Sequence, residues 1–211
     1  AAISEKGVQL DFLMLPAEAE DLRLAIADKG AEALKPLLRA LRDWRVQDTH
    51  ASTEGDRASL LSLMEQGLGL RSVSRSLAAR LRHWFLVHVR GLAYEEGQSA
   101  ESFRSSASFF TSLGDLLGRL GEPSDAADAY GWACEAWERA GEGCSLFTAS
   151  AWGHVGAAFE AAGDAANALN AYEKALALYC GLGLSGAAAA AAVSSRAAVC
   201  GGVGKAALPL H

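Results

Sequence analysis

Three kinds of side chain in this chain could do chemistry: histidines that hold a metal, cysteines that bind zinc or attack an electrophile, and arginines that hold an anion. His83 and His88 are five residues apart. Two ligands on one helical face need a spacing of three or four, because a turn takes about 3.6 residues. No metal site is expected there. The four cysteines, Cys134, Cys144, Cys180 and Cys200, contain no C-x-x-C pair, which argues against zinc and against a redox motif. Each sits in helical or apolar surroundings and reads as a free buried thiol, which points to a reducing, intracellular compartment. No Ser/His/Asp, Cys/His or paired-carboxylate pattern carries a supporting motif. "GLGL" and "GGVGK" lack the spacing of a phosphate-binding P-loop, and the second follows a helical stretch instead of a strand. The expectation is no enzyme, no cofactor and no metal.

The arginines are more informative. "RSVSRSLAARLRHWFLVHVR" carries Arg71, Arg75, Arg80, Arg82 and Arg90, and no Asp or Glu occurs between Gln66 and Tyr94, although the whole chain has a net charge of −6. One reading is a docking surface for an acidic, tubulin-like or phosphate-rich partner. The favoured reading is a helix face that pairs internally, because residues 95–142 hold ten acids against three arginines. Nucleic acid is not an expected partner, since its recognition needs a basic surface overall.

These groups must be positioned by helices. The 211 residues suit one domain or one solenoid block, and 51% of them are apolar. Ala, Leu and Gly dominate, while the β-branched residues that favour strands are scarce. Only Pro16, Pro36, Pro123 and Pro209 could interrupt a helix. No apolar run reaches the roughly 18–20 residues of a membrane span. The start, "AAISEKGVQL", lacks the features of a signal peptide. It also lacks Met, and so reads as a processed chain or one segment of a longer protein. The chain is read as all-α.

Shifting the sequence by 42 residues aligns two segments without gaps. Phe110 meets Trp152, Leu113 meets Val155, Gly114 meets Gly156 and Leu117 meets Phe159. Gly121 meets Gly163, and Ala126, Tyr130 and Ala133 meet Ala168, Tyr172 and Ala175. Each unit reads as helix, turn, helix. Gly121 and Gly163 are placed to take positive φ after the first helix, and Pro123 to open the second. Gly114 and Gly156 let a neighbouring helix approach, and the aromatic residues fill the wider gaps.

At these residues the chain resembles the tetratricopeptide repeat family, whose pattern is W-x2-L-G-x2-Y, then Gly, then A-x3-F-x2-A. "WGHVGAAF", Gly163 and "ALNAYEKA" form one copy; "FTSLGDLL", Gly121 and "AADAYGWA" form the other. The resemblance covers residues 103–182. Its usual period is about 34. The extra eight residues fall after Ala133, in "CEAWERAGEGCSLFT", so the second helix is expected to be about two turns longer. In helix length this is similar to the soluble NSF attachment proteins and kinesin light chains.

The resemblance implies an α-solenoid of antiparallel helix hairpins, wound as a right-handed superhelix, with the first helix of each unit lining a concave groove. The groove positions are then Ser108, Thr111, Asp115 and Arg119 in one unit, and Ser150, Gly153, His154, Ala157 and Glu160 in the other. Some members of the family clamp a carboxylate terminus with Lys and Asn at the fifth and ninth repeat positions. Here those positions hold Thr111, Asp115, Gly153 and Ala157. None is basic, and Asp115 would repel a carboxylate. The groove suits a helix or an apolar peptide better.

The expected organisation is N-terminal helices and a polar loop (1–56), an atypical helical hairpin (57–100), two repeats (101–142 and 143–183), and a capping helix from Ser185 to about Cys200 with a loose tail (184–211). From Cys144 onward there are only three acids and three bases, and such bare surface usually marks an interface. The expected function is a non-catalytic scaffold that holds a protein partner or neighbouring subunits. The alternatives are an embedded subunit of a cytoskeletal or ciliary complex, and a regulatory helical domain of a longer protein. The expected location is cytoplasmic.

Overall fold

A computed structural model describes residues 14–50, 53–95 and 99–183. The expected capping helix, Cys200 and the tail lie outside the described residues. Every described element is helical: α1 (Pro16–Lys29), a 3-10 turn (Gly30–Leu34), α2 (Lys35–Asp43), a second 3-10 turn (Val46–Asp48), α3 (Glu54–Gly67), α4 (Leu70–Glu95), α5 (Ala100–Arg119), α6 (Pro123–Arg139), α7 (Leu146–Ala162) and α8 (Ala165–Gly181).

Local chemistry sets these boundaries. The side chains of Ser99, Ser145 and Asp164 accept hydrogen bonds from the amides of Ser102, Thr148 and Asn167. Each satisfies an orphan donor at a helix start. Pro123 opens α6, as its fixed φ favours. Gly121, Gly141 and Gly163 end α5, α6 and α7 with φ of 79°, 82° and 81°. After each glycine the next amide donates back to a carbonyl five residues earlier: Glu122 to Leu117, Glu142 to Trp137, Asp164 to Phe159. Only glycine takes that left-handed conformation without strain. Gly163→Ala should therefore lower stability by about 1 kcal/mol, read as a shift of the urea unfolding midpoint with an unchanged slope.

The helices pack in chain order, α5 on α6, α6 on α7 and α7 on α8. The two units share one contact. A Cβ built on Gly114 would lie 2.6 Å from the Tyr130 ring, and one on Gly156 would lie 2.6 Å from the Tyr172 ring. Each glycine therefore receives the ring of a tyrosine from the second helix of its own unit. Phe110, Leu113, Leu117, Ala126, Ala129 and Ala133 are fully buried around the first contact.

The extra length of the repeat is shared between helices. Helix α6 runs six residues past Ala133, to Arg139, and α7 begins six residues before Trp152.

Helix α4 packs on α2 and α5 and reaches α6 through side chains. Arg82 pairs with Glu122 and Asp125, Arg90 pairs with Glu135, and Tyr94 reaches the Trp132 carbonyl. The Arg139 guanidinium stands 4.9 Å from the Tyr94 ring centre. The first 3-10 turn packs on α5. Ala31 and Leu34 enter the same core as Leu113, Leu116 and Leu117. Among the described residues no helix is long and apolar enough to cross a membrane.

Candidate functional site

The groove positions of the first unit are not all open. Ser108 lines a cleft of about 400 Å³ with Ser105, Phe109 and Ser112, and its opposite wall is Arg23, Ile26 and Gly30 of the chain's own N-terminal segment. The Ser108 hydroxyl donates to the Arg104 carbonyl. Thr111 is half-buried and donates to the Ala107 carbonyl. Asp115 accepts from the Tyr130 hydroxyl at 2.6 Å. Arg119 pairs with Glu32 at 2.6 Å. The N-terminal segment thus borders this face, because its apolar turn belongs to the core and Glu32 meets Arg119, while Ser108, Asp115 and Arg119 stay exposed.

The second unit presents a comparably exposed face. Ser150, His154 and Ala157 are exposed, Gly153 is half-buried, and no side chain would meet a Cβ placed on Gly153. The His154 ring leans on Tyr130 across the α6–α7 contact, with centroids 5.1 Å apart. Glu160 accepts from the Tyr172 hydroxyl at 2.8 Å. Asp115 and Glu160 are therefore the same structural device in the two units: a carboxylate holding the packing tyrosine. Burial, and after it Asp115, pushes the Tyr130 hydroxyl well above the usual phenol range.

The basic segment divides in two. Arg82 and Arg90 point into the α4–α6 contact and pair with the acidic unit. Arg71, Arg75 and Arg80 are exposed on α4, with no carboxylate in ion-pair reach among the described residues. Arg71, Arg75 and Arg82 line an open cleft of about 540 Å³ with Arg42 and Arg45. The sequence reading missed these last two. Their signal is "LRDWR", two arginines around an acid and an aromatic at the end of α2.

His83 and His88 are both exposed, and His88 rests on Trp84 with ring centroids 4.4 Å apart. No group of three His, Cys, Asp or Glu side chains converges among the described residues. The expectation of buried thiols needs correction. Cys134 is buried, and burial pushes its thiol up to about 12, which suppresses the thiolate. Cys144 and Cys180 are exposed, because Cys144 falls in the loop before α7 and Cys180 at the end of α8. Compared with known proteins, the chain matches no family model and no curated protein.

Proposed function

We propose that the chain is a non-catalytic scaffold: an α-solenoid of the tetratricopeptide type whose paired helices hold a protein partner within a larger cytoplasmic assembly. The duplicated contact of Gly114 with Tyr130 and Gly156 with Tyr172 carries this reading. A repeated packing unit extends a surface by stacking, and such surfaces hold extended or helical partners. The partner segment is a helix or an apolar peptide lying along α7 over Ser150, Gly153, His154 and Ala157. Small side chains there let another backbone come close, and little charge has to be desolvated.

A photo-crosslinking residue at Ala157 should capture a partner from cell extract. Ala157→Arg should cut recovery of that same protein at least tenfold while leaving the helical circular dichroism unchanged. Equal recovery by the arginine variant removes the α7 strip from consideration.

Exposed Leu60 and Leu63 on α3, and Leu68 just after it, favour a second reading. In it the chain is an embedded subunit of a cytoskeletal or ciliary complex, covered on several sides. Size-exclusion with light scattering separates the two readings. A stable monodisperse monomer supports a recruiting module, and solubility only with co-expressed partners supports the embedded subunit.

A further inference from the structure

The cleft between the end of α2 and the start of α4 holds more positive charge than the fold uses. Arg42, Arg45, Arg71, Arg75 and Arg82 all line it. Arg42 is paired with Asp43, and Arg82 with Glu122 and Asp125. The Arg45 guanidinium donates only to the carbonyls of Asp43 and Trp44 among the described residues. Arg71 and Arg75 are one helical turn apart on the same edge of α4, so both face the cleft. Five guanidinium groups against three carboxylates leave two positive charges uncompensated, in a chain whose net charge is −6. Held together without a counter-charge, these groups repel one another. A ligand that brings about two negative charges and several acceptor oxygens relieves that repulsion, and planar guanidinium forks match such oxygens. A phosphate monoester carries about −1.5 to −2 at neutral pH.

We propose that this cleft is a phosphate-binding site that receives a phosphorylated side chain of a protein partner. The rest of the lining narrows the choice of ligand. Ser74 is the one neutral hydroxyl in the wall. Its oxygen already accepts from the Val46 amide and donates to the Leu70 carbonyl. Glu122 is already paired with Arg82, Ala78 and Ala79 supply no polar group, and Trp44 offers a single indole donor, so a nucleobase would find no free neutral acceptor side chain to read it. A phosphate on a short carrier needs none. The site lies away from the α7 strip and does not depend on it.

The test is a titration of the ¹⁵N-labelled chain followed by NMR, with N-acetyl-phosphoserine amide, inorganic phosphate and N-acetyl-serine amide as probes. The phosphoserine probe should shift backbone amides of residues 43–46 and 70–82 saturably. Inorganic phosphate should shift the same amides with weaker affinity, and the serine probe should leave them unmoved. R71Q/R75Q, two exposed changes, should weaken phosphoserine binding at least tenfold with the remaining spectrum retained. R80Q, the same change on α4 outside the cleft, should leave binding within twofold. Absence of saturable shifts with both phosphate probes overturns the site, as does an R80Q loss equal to that of R71Q/R75Q. Inorganic phosphate binding as tightly as phosphoserine overturns the assignment to a partner's side chain. Ala157→Arg should leave this titration unchanged, so failure here and failure of the α7 strip are read separately.

Discussion

Gly114→Val and Gly156→Val should each destabilise the fold by about 3 kcal/mol, and the alanine variants by about 1–2 kcal/mol. Alanine at an ordinary helical glycine does the opposite, gaining about 1 kcal/mol from helix propensity. The difference lies in what the new Cβ meets. At Gly114 it would stand 2.6–2.8 Å from three atoms of the Tyr130 ring, and at Gly156 2.6–2.9 Å from three atoms of the Tyr172 ring. Carbon atoms pack best at about 3.5–4.0 Å, so ring and helix must separate by about 1 Å. Neither ring can swing aside freely. Tyr130 is 7% exposed and Tyr172 3%, and each hydroxyl is held by a carboxylate of the facing helix. Gly131→Ala in the middle of α6 and Gly118→Ala near the end of α5 are the controls, because nothing lies within 4 Å of either added Cβ. Both should raise the urea midpoint, while Gly114→Ala and Gly156→Ala lower it. Tyr130→Leu should recover part of the Gly114→Ala loss, giving a coupling above about 0.5 kcal/mol in a double-mutant cycle. A Gly114→Ala protein as stable as Gly131→Ala would mean that the close approach does not hold the pair together.

The close approach at Gly114 and Gly156 is legible in the sequence, but not that a tyrosine ring fills it, since the aromatic residues read as fillers of the wider gaps. The 42-residue spacing, the small residue at Gly114 and Gly156, and the helix ends at Gly121 and Gly163 are local or periodic features, and periodicity survives in one dimension. Two other features were not legible. The packing of the N-terminal segment against α5 depends on pairs such as Arg119 with Glu32, which are 87 residues apart, and no spacing rule joins them. The carboxylates that hold the tyrosines escape for a subtler reason. Shifted by 42, Asp115 falls on Ala157, and Glu160 falls on Gly118. The two acids lie one residue after Gly114 and four residues after Gly156. Those offsets share a helical flank, so both reach a tyrosine hydroxyl, and an ungapped alignment hides the equivalence. Reading them as groove residues followed from position alone. The cysteines teach the same lesson: apolar neighbours in sequence did not say that Cys144 would fall in a loop.

Arg82→Met should destabilise the fold by about 3 kcal/mol, whereas Arg90→Met should lose about 1 kcal/mol or less. Both arginines leave α4 for α6, and burial separates them. The Arg82 side chain is 12% exposed and its partners Glu122 and Asp125 are 20% and 16% exposed; Arg90 and Glu135 are 36% and 34% exposed. Methionine keeps much of the packing of an arginine stem but leaves two half-desolvated carboxylates without their ion-pair partner, with only Arg42 near Glu122. The pH dependence follows from Glu122. Burial already raises its carboxyl above the usual value of 4.5, Arg82 pulls it down, and Asp125 pushes it up again. Without Arg82 it must rise further. A carboxyl raised in the folded state disfavours folding in full above that raised value, less as pH falls below it, and not at all below the unfolded pKa. The gap between Arg82→Met and wild type should therefore be widest near pH 7 and narrow as pH falls from the raised folded-state value toward about 4.5, where the unfolded-state carboxyl itself takes a proton. Urea midpoints at several pH values measure it. Adding Glu122→Gln to Arg82→Met should recover part of the loss at pH 7 and little at low pH, since the glutamine removes the stranded charge only where that charge exists. A gap that stays constant with pH would assign the loss to packing of the arginine stem. In that case α4 would be held in place by its core residues Phe85, Leu86 and Val89, and the ion pairs to α6 would only set its register.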